Sequence, residues 1–367
     1  MRDASSCCIA SFNGDGLGHQ LHAKLSCIAA AADLRVAGVD AEYVHVGAQA
    51  SLRHRVPQSD ASALDSFLRR DTRSGACDSR LDARGKPLHP LQFLADPPWR
   101  PPPLARHVGR AADWQAPCTN ASLSFLMSVR GRTQVCSSTG VYVGECFDYI
   151  YCREAAAPGS LAVMMQRVLP ALQAAYVAER PPPASRNRWA GVTHVVVHVR
   201  RGDVAHRRER FRLYMGDPML AYFERTMNGL RAELSGVGDP TLHAPPRHLT
   251  RPARFTVITD ASDSDGAVWR TFRNASDVYV RKGGNLVDDF DLLVHADVLV
   301  LSLSSFSFAA AWLARGAVVA PSCMSYIGDP LPPPPLPGSF GHLPLPHWRR
   351  SPCCPTELRR SPDQMFC

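Results

Sequence analysis

Between residues 193 and 320 short, wholly apolar runs alternate with stretches of helical periodicity, and this rhythm restricts the fold more than any other feature of the chain. Runs at Thr193–Val199, Phe255–Thr259, Val278–Val280, Val298–Leu301 and Ala317–Ala320 predict strands. Helical spacing predicts helices near Met219–Leu234, Asp265–Phe272, Leu286–His295 and Phe306–Ala314. A strand without polar alternation must be covered on both faces, and interleaved helices supply that cover, so an α/β fold with a parallel sheet is expected. A shorter version of the pattern opens the chain. Cys8–Phe12 is apolar, Asn13–Gly18 is a glycine-rich turn, and Leu17, Leu21, Leu25, Ile28 and Ala32 then fall on one helical face, with Glu42–Val46 as the next strand.

From Pro57 to about Arg130 the periodicity weakens, and the proline-rich segment 97–103 predicts a loop. A helix is expected over Ser160–Ala178, followed by a stiff spacer at Arg180–Ser185. The tail after Asp329 is rich in proline and is expected to form an irregular strap. With 367 residues, enough for two domains, these breaks suggest one domain over 1–185 with an irregular insertion over about 50–155, a second over 186–328 and a Pro/Cys-rich tail over 329–367.

Charge and cysteine content narrow the class. All but three of the 41 basic residues are arginine, the exceptions being Lys24, Lys86 and Lys282, and the net charge is +8. The arginines are scattered, without the basic stripe or aromatic ladder of a nucleic-acid surface, which leaves phosphorylated small molecules as the anionic partner. No apolar run reaches the roughly 18 residues of a membrane span, and no signal peptide opens the chain. Twelve cysteines are present, with Cys118, Cys136, Cys146 and Cys152 clustered and Cys353, Cys354 and Cys367 near the end. The absence of CxxC and of a histidine pair at ligand spacing argues against zinc and for disulfides, hence for a secretory compartment. Sequons at Asn120 and Asn274 agree. Entry into a lumen then requires a signal or anchor, so a truncated chain is expected, with membrane attachment only through a segment not contained in it.

Ligands of open parallel sheets bind beyond the carboxyl ends of the strands. Four such ends carry chemistry. The first delivers His198-Val199-Arg200-Arg201-Gly202-Asp203, whose guanidinium forks match a diphosphate. The second is Thr259-Asp260, which can equally open a helix. The third, Asp288-Asp289-Phe290-Asp291, offers a carboxylate for the N1–H and amine edge of guanine, or negative charge for a helix N-terminus. The fourth, Leu301–Phe308, places Ser302, Ser304, Ser305 and Ser307 at a strand-to-helix turn that can cap the helix, hold phosphate, or both.

Order and spacing together carry a resemblance. Gly16-Leu17-Gly18-His19-Gln20-Leu21 resembles the Gly-Leu-Gly-Asn-Gln-Leu turn of the fucosyltransferases that share an HxRR motif, above all the α-1,2-fucosyltransferase family. His198–Asp203 is similar to that family's HVRRGD strand end, and Ser304–Leu313 resembles its SSFSWWAAWL stretch. The likeness covers residues 12–33 and 190–322, and nothing between about 50 and 155 takes part in it. It implies a GT-B fold of two Rossmann-like domains, GDP-fucose held mainly by the second, inversion at the anomeric carbon, no cofactor and no metal, and residence in the Golgi lumen. It further implies that Arg200 grips the β-phosphate, with Arg201 beside it. His198 would contact the nucleoside, Asp289 would read guanine, and Asp260, Ser304, Ser305 and Phe306 would line the donor pocket. Gly16 and Gly18 would allow close approach of the first loop, and Asp203 would order the arginine turn. Asp15 and Glu209 are candidates for the base that takes the acceptor proton. His19 in place of asparagine, and Phe308-Ala309 in place of two tryptophans, depart from the family and bear on acceptor choice. Asp263-Ser264-Asp265 spells a DxD metal motif but stands where a helix begins, which favours capping. Three alternatives stay open at this point: a catalytically silent glycan- or nucleotide-binding relative, a basic nucleic-acid-binding protein, whose binding would fall steeply with salt, and a transferase of another nucleotide sugar.

Overall fold

The computed structural model describes residues 7–11, 16–36, 41–45, 48, 57–71, 141–143, 146, 160–182, 191–202, 217–235, 251–263, 265–272, 275–302, 304–321 and 348–351. Asp15, Asp203, Glu209, the Pro-rich 97–103 loop, Asn120, Asn274 and residues 183–185 of the Arg180–Ser185 spacer lie outside them. The chain divides into two compact units that part between Tyr176 and Val177.

The N-terminal unit is built on a three-stranded parallel sheet in the order β2-β1-β3, from β1 (Cys7–Ala10), β2 (Ala41–Val44) and β3 (Val141–Val143). Helix α1 (Leu17–Val36) crosses from β1 to β2, and α2 (Gln58–Asp65) runs into a 3-10 turn over Ser66–Asp71. The turn before α1 is shorter than its glycines suggested. The Gly16 carbonyl accepts from His19 N–H at 2.9 Å and Gln20 N–H at 3.1 Å, so Gly18 is already helical and buried. Helix α2 has no sequence signature, since Gln58–Asp65 is mostly polar. The three residues of β3, Val-Tyr-Val, favour a strand but form too short a run to be singled out, and β1 supplies the edge they pair with.

Helix α1 is buried around nearly its whole circumference, polar residues included. Inside it Lys24 meets Asp65 at 3.2 Å, and Asp65 Oδ2 also accepts the Ala48 N–H at 2.5 Å. A buried pair of this kind roughly offsets its own desolvation and is better regarded as fixing register than as adding stability. Cys27 of α1 is joined to Cys146, beyond β3, and Cys8 is disulfide-bonded as well. Cys146 therefore pairs across 119 positions, not with its neighbours Cys118, Cys136 or Cys152. Helix α3 (Ser160–Glu179) ends this part of the chain.

The C-terminal unit carries six parallel strands in the order β6-β5-β4-β7-β8-β9 among the described residues. They are β4 (Thr193–Val199), β5 (Ala253–Thr259), β6 (Val278–Lys282), β7 (Val298–Val300), β8 (Ala317–Pro321) and β9 (Trp348–Ser351). The helices are α4 (Asp217–Leu234), α5 (Gly266–Phe272), α6 (Leu286–Val294) and α7 (Ser305–Leu313). The strand β9 corrects the expectation of an irregular tail. Parallel pairing with β8, Val318 opposite Trp348, gives Trp348–Ser351 the hydrogen bonds that its own sequence does not announce. Arg180, taken as the start of a free spacer, is anchored instead. Its guanidinium forks onto Asp291 of α6 at 2.7 and 2.5 Å, and its carbonyl meets His295 Nε2 at 2.9 Å.

All seven residues of β4 are buried, as expected for a central strand. Its two-residue period divides it cleanly. Val195, Val197 and Val199 join the core made with Tyr222, Phe223 and Met227 of α4 and Val268 and Phe272 of α5. His194, Val196 and His198 face the other way. His194 is satisfied there by Thr256 Oγ1 at 2.9 Å.

Candidate functional site

Strand order decides where a ligand can enter. From β4 the chain winds outward through β5 and β6, then returns to the other side of β4 with β7 and continues through β8. The reversal between β4 and β7 opens a crevice at their carboxyl ends, the usual binding place of a doubly wound sheet. His198, Arg200 and Arg201 end β4, and Ser302, Ser304 and Ser305 follow β7. Two segments about a hundred residues apart in sequence thus meet across that crevice.

The meeting is a hydrogen bond. His198 Nδ1 and Ser302 Oγ lie 2.7 Å apart, both residues buried. The Ser302 carbonyl accepts the Ser304 N–H at 2.9 Å in the turn that starts α7. Ser304 is the N-cap, its hydroxyl accepting from Phe306 N–H at 3.3 Å, and Ser307 Oγ donates to the Ser304 carbonyl at 3.2 Å. The serines therefore fold the turn, and the remaining amides of the first helical turn point where an anion can use them. Of α7 only Phe306 is not buried. Its ring lies 5.7 Å from that of His198 and 5.2 Å from that of Phe290. Phe308 and Trp312, by contrast, pack edge to face inside the core at 5.3 Å.

Burial pushes the His198 imidazole down to about 4; Asp260 pulls it up and Arg200 pushes it further down. The ring is neutral near pH 7, leaving the positive charge of this strand end to the arginines. Because the folded ring resists the proton, the unfolded chain takes it first as pH falls. This contribution is complete above the ordinary value of 6.5 and disappears progressively down to about 4. It amounts to about 3 kcal/mol in all. His198→Asn keeps a polar atom for Ser302, and its urea midpoint should fall less than that of wild type between pH 7 and pH 4.5. The expected saving is about 2 kcal/mol; identical losses would mean that His198 is already protonated in the folded protein.

Arg201 and Asp260, expected to meet the ligand, are engaged with the protein's own groups. The Arg201 guanidinium forks onto Asp265, Nε to Oδ2 at 2.8 Å and Nη2 to Oδ1 at 3.1 Å. Asp260 Oδ1 accepts the Arg201 backbone N–H at 2.6 Å. Asp265 also caps α5, accepting the Val268 N–H at 3.3 Å. Burial raises its carboxyl, but the Arg201 fork and the Val268 and Ala267 amides together outweigh burial and hold it below the ordinary carboxylate value. Asp263, the other aspartate of the DxD letters, is exposed and pairs with Lys282 at 2.6 Å.

Asp289 stands in the first turn of α6, next to Phe290, and is held by Arg281 Nε at 2.5 Å. Gly284 lies directly against this pair, since a Cβ there would approach Asp289 Oδ1 to 2.4 Å and Arg281 Nε to 2.7 Å. Burial pushes the Asp289 carboxyl up more than Arg281 pulls it down, while the less buried Arg281 is raised by its partner. Asn285, not Asp289, caps the helix, accepting from Val287 N–H at 2.8 Å. Asp288 and Asp289 stand in the first turn of α6, where their negative charge suits the helix N-terminus as the sequence allowed.

No known protein family, no characterised protein and no solved structure matches this chain. What the site can do must therefore be argued from its own groups.

Sequence reasoning singled out His198, Arg200, Asp289, Phe306 and the serine turn, and the structure gathers them at or beside one sheet end. Gly16 and Gly18 belong to the N-terminal unit. Asp265 and Arg281 were not recognised as partners of Arg201 and Asp289. For Arg281 a signal existed in Gly283-Gly284, a pair of glycines directly after a strand.

Proposed function

We propose that this protein is an inverting fucosyltransferase of the HxRR superfamily, with GT-B architecture, that moves fucose from GDP-fucose to a hydroxyl of a glycan or glycoprotein. The observation that carries the reading is the His198–Ser302 hydrogen bond, 2.7 Å long. It joins the HVRRGD-like strand end to the SSFS-like turn at the crevice where a doubly wound sheet takes nucleotides.

In this reading the acceptor oxygen attacks the fucose anomeric carbon from the face opposite the diphosphate. The bond to the β-phosphate oxygen breaks, GDP leaves with the electron pair, and a base takes the acceptor proton. Asp15 and Glu209 are the candidates for that base, with Asp203 ordering the arginine turn. Arg200 supplies fixed positive charge where negative charge develops, the task a metal performs in other transferases. The α7 turn, with Ser304 and Ser305, receives the phosphates, and the neutral His198 offers its second ring nitrogen to the nucleoside. Asp289 keeps one oxygen on Arg281 and turns the other to the guanine edge. Two disulfide-bonded cysteines of the N-terminal unit, Cys27 and Cys146, suit an oxidising compartment such as the Golgi lumen. The α-1,2 linkage follows from the family likeness alone.

GDP release should be measured with GDP-fucose, GDP-mannose and UDP-galactose, each with and without EDTA. Release from GDP-fucose alone, unaffected by EDTA, supports the assignment. GDP binding without release indicates a silent relative, release from another donor a different transferase, and neither binding nor release overturns the nucleotide-sugar reading.

A further inference from the structure

We propose that Asp260 and Asp265 form a two-carboxylate clamp that positions Arg200 without touching the substrate. The inference rests on the transferase reading, because it concerns how that reading's central arginine is aimed.

Arg200 is the first residue beyond β4, where the sheet ladder no longer fixes the backbone. The two residues after it are fixed from outside the strand. Arg201 is held at its N–H by Asp260, 2.6 Å, and at its guanidinium by the fork to Asp265, 2.8 and 3.1 Å. Gly202 lies against the other oxygen of Asp260, so closely that a Cβ there would stand 2.6 Å from Oδ2 and 2.9 Å from Cγ. One oxygen of Asp260 is therefore bonded to the turn, and the other packs against Gly202. A carboxylate facing a diphosphate would repel it, whereas one turned onto a backbone N–H does not.

Asp265 is anchored in its own right. Its N–H donates to the Ser262 carbonyl at 3.0 Å, and the same carbonyl accepts Trp269 Nε1 at 3.1 Å. With side chains only 11% and 13% exposed, the Arg201–Asp265 fork is shielded enough to act as a rigid strut. Arg200 is thus held between a central strand on one side and a doubly pinned residue on the other. A Cβ at position 202 would press on the Asp260 carboxylate, so glycine lets the chain approach it closely.

The test compares donor turnover with backbone exchange. Asp260→Ala should lower kcat for GDP-fucose about ten- to a hundredfold, with KM moved less than about threefold, the pattern of a misaimed group. Asp260→Asn, which keeps an oxygen for the Arg201 N–H, should recover to within about threefold of wild type. In an Arg200→Ala background Asp260→Ala should cost nothing further. Deuterium exchange over residues 197–202 should rise in Asp260→Ala and stay at the wild-type level in Asp260→Asn. A raised KM with kcat intact would make Asp260 a substrate contact, and unchanged exchange would remove the clamp; either overturns the proposal. If the wild type turns over no nucleotide sugar, the transferase reading fails and exchange alone judges the clamp. Should Asp260→Ala not fold, Asp265→Asn, which releases the fork but retains an oxygen for Val268, is judged by the same kcat and exchange criteria.

Discussion

Arg200→Ala is expected to cut turnover of GDP-fucose about a thousandfold, close to 4 kcal/mol of lost transition-state stabilisation. Nearly all of the loss should fall on kcat. The diphosphate carries more negative charge as it departs than it does in the bound donor, so a fixed cation contributes most at that moment. The fold should survive, because Arg200 is only half-buried and lies outside the β4 ladder. Arg200 also depresses the neighbouring His198, and its removal should let that imidazole titrate at higher pH. Single-turnover kinetics and a thermal melt check both statements. Turnover within tenfold of wild type would take Arg200 away from the reacting centre.

Cys27→Ser is expected to have the largest effect on stability. The bridge to Cys146 closes a loop spanning 119 positions, and its loss returns to the unfolded chain a conformational freedom worth about 4 to 5 kcal/mol. Part of this is offset, because Cys146 is held at φ 55, a left-handed conformation that costs a residue other than glycine roughly 1 kcal/mol. Both bonded residues are buried, Cys27 completely, so the serine also places a hydroxyl in an apolar setting. Urea unfolding of the wild type with and without reductant, beside the variant, gives the number. A loss under about 1 kcal/mol, or failure to recover the Cys27–Cys146 peptide by mass spectrometry, would contradict the pairing.

Much of the C-terminal unit was legible because its signals are local. Thr193–Val199 is apolar at every position except Thr193 and its two histidines, and the structure gives it the same bounds. Ser304 reads as a cap from residue type alone, and it caps. The strand β9 was not legible, since Trp348–Ser351 becomes a strand through an edge offered by β8, and β3 was passed over because its strand-favouring Val-Tyr-Val is only three residues long. The same holds for side-chain roles. Asp289 could be recognised as a carboxylate at a helix start, but not as the partner of Arg281. Arg201 carries the same chemical letters as Arg200, and only the position of Asp265 sets one apart as a strut.

By itself, then, the sequence determined which segments are strands and helices in the regular half of the chain, which residue types stand at the strand ends, and that the sheet must be parallel. Those properties depend on period and residue type within a few positions, where the chain's geometry is short-ranged. The tertiary structure decided the reversal of strand order between β4 and β7, the bond from His198 to Ser302, the assignment of Arg201 to Asp265, and the bridge from Cys27 to Cys146. Each joins residues more than sixty positions apart, and pairings at that distance are selected by packing rather than by any local pattern.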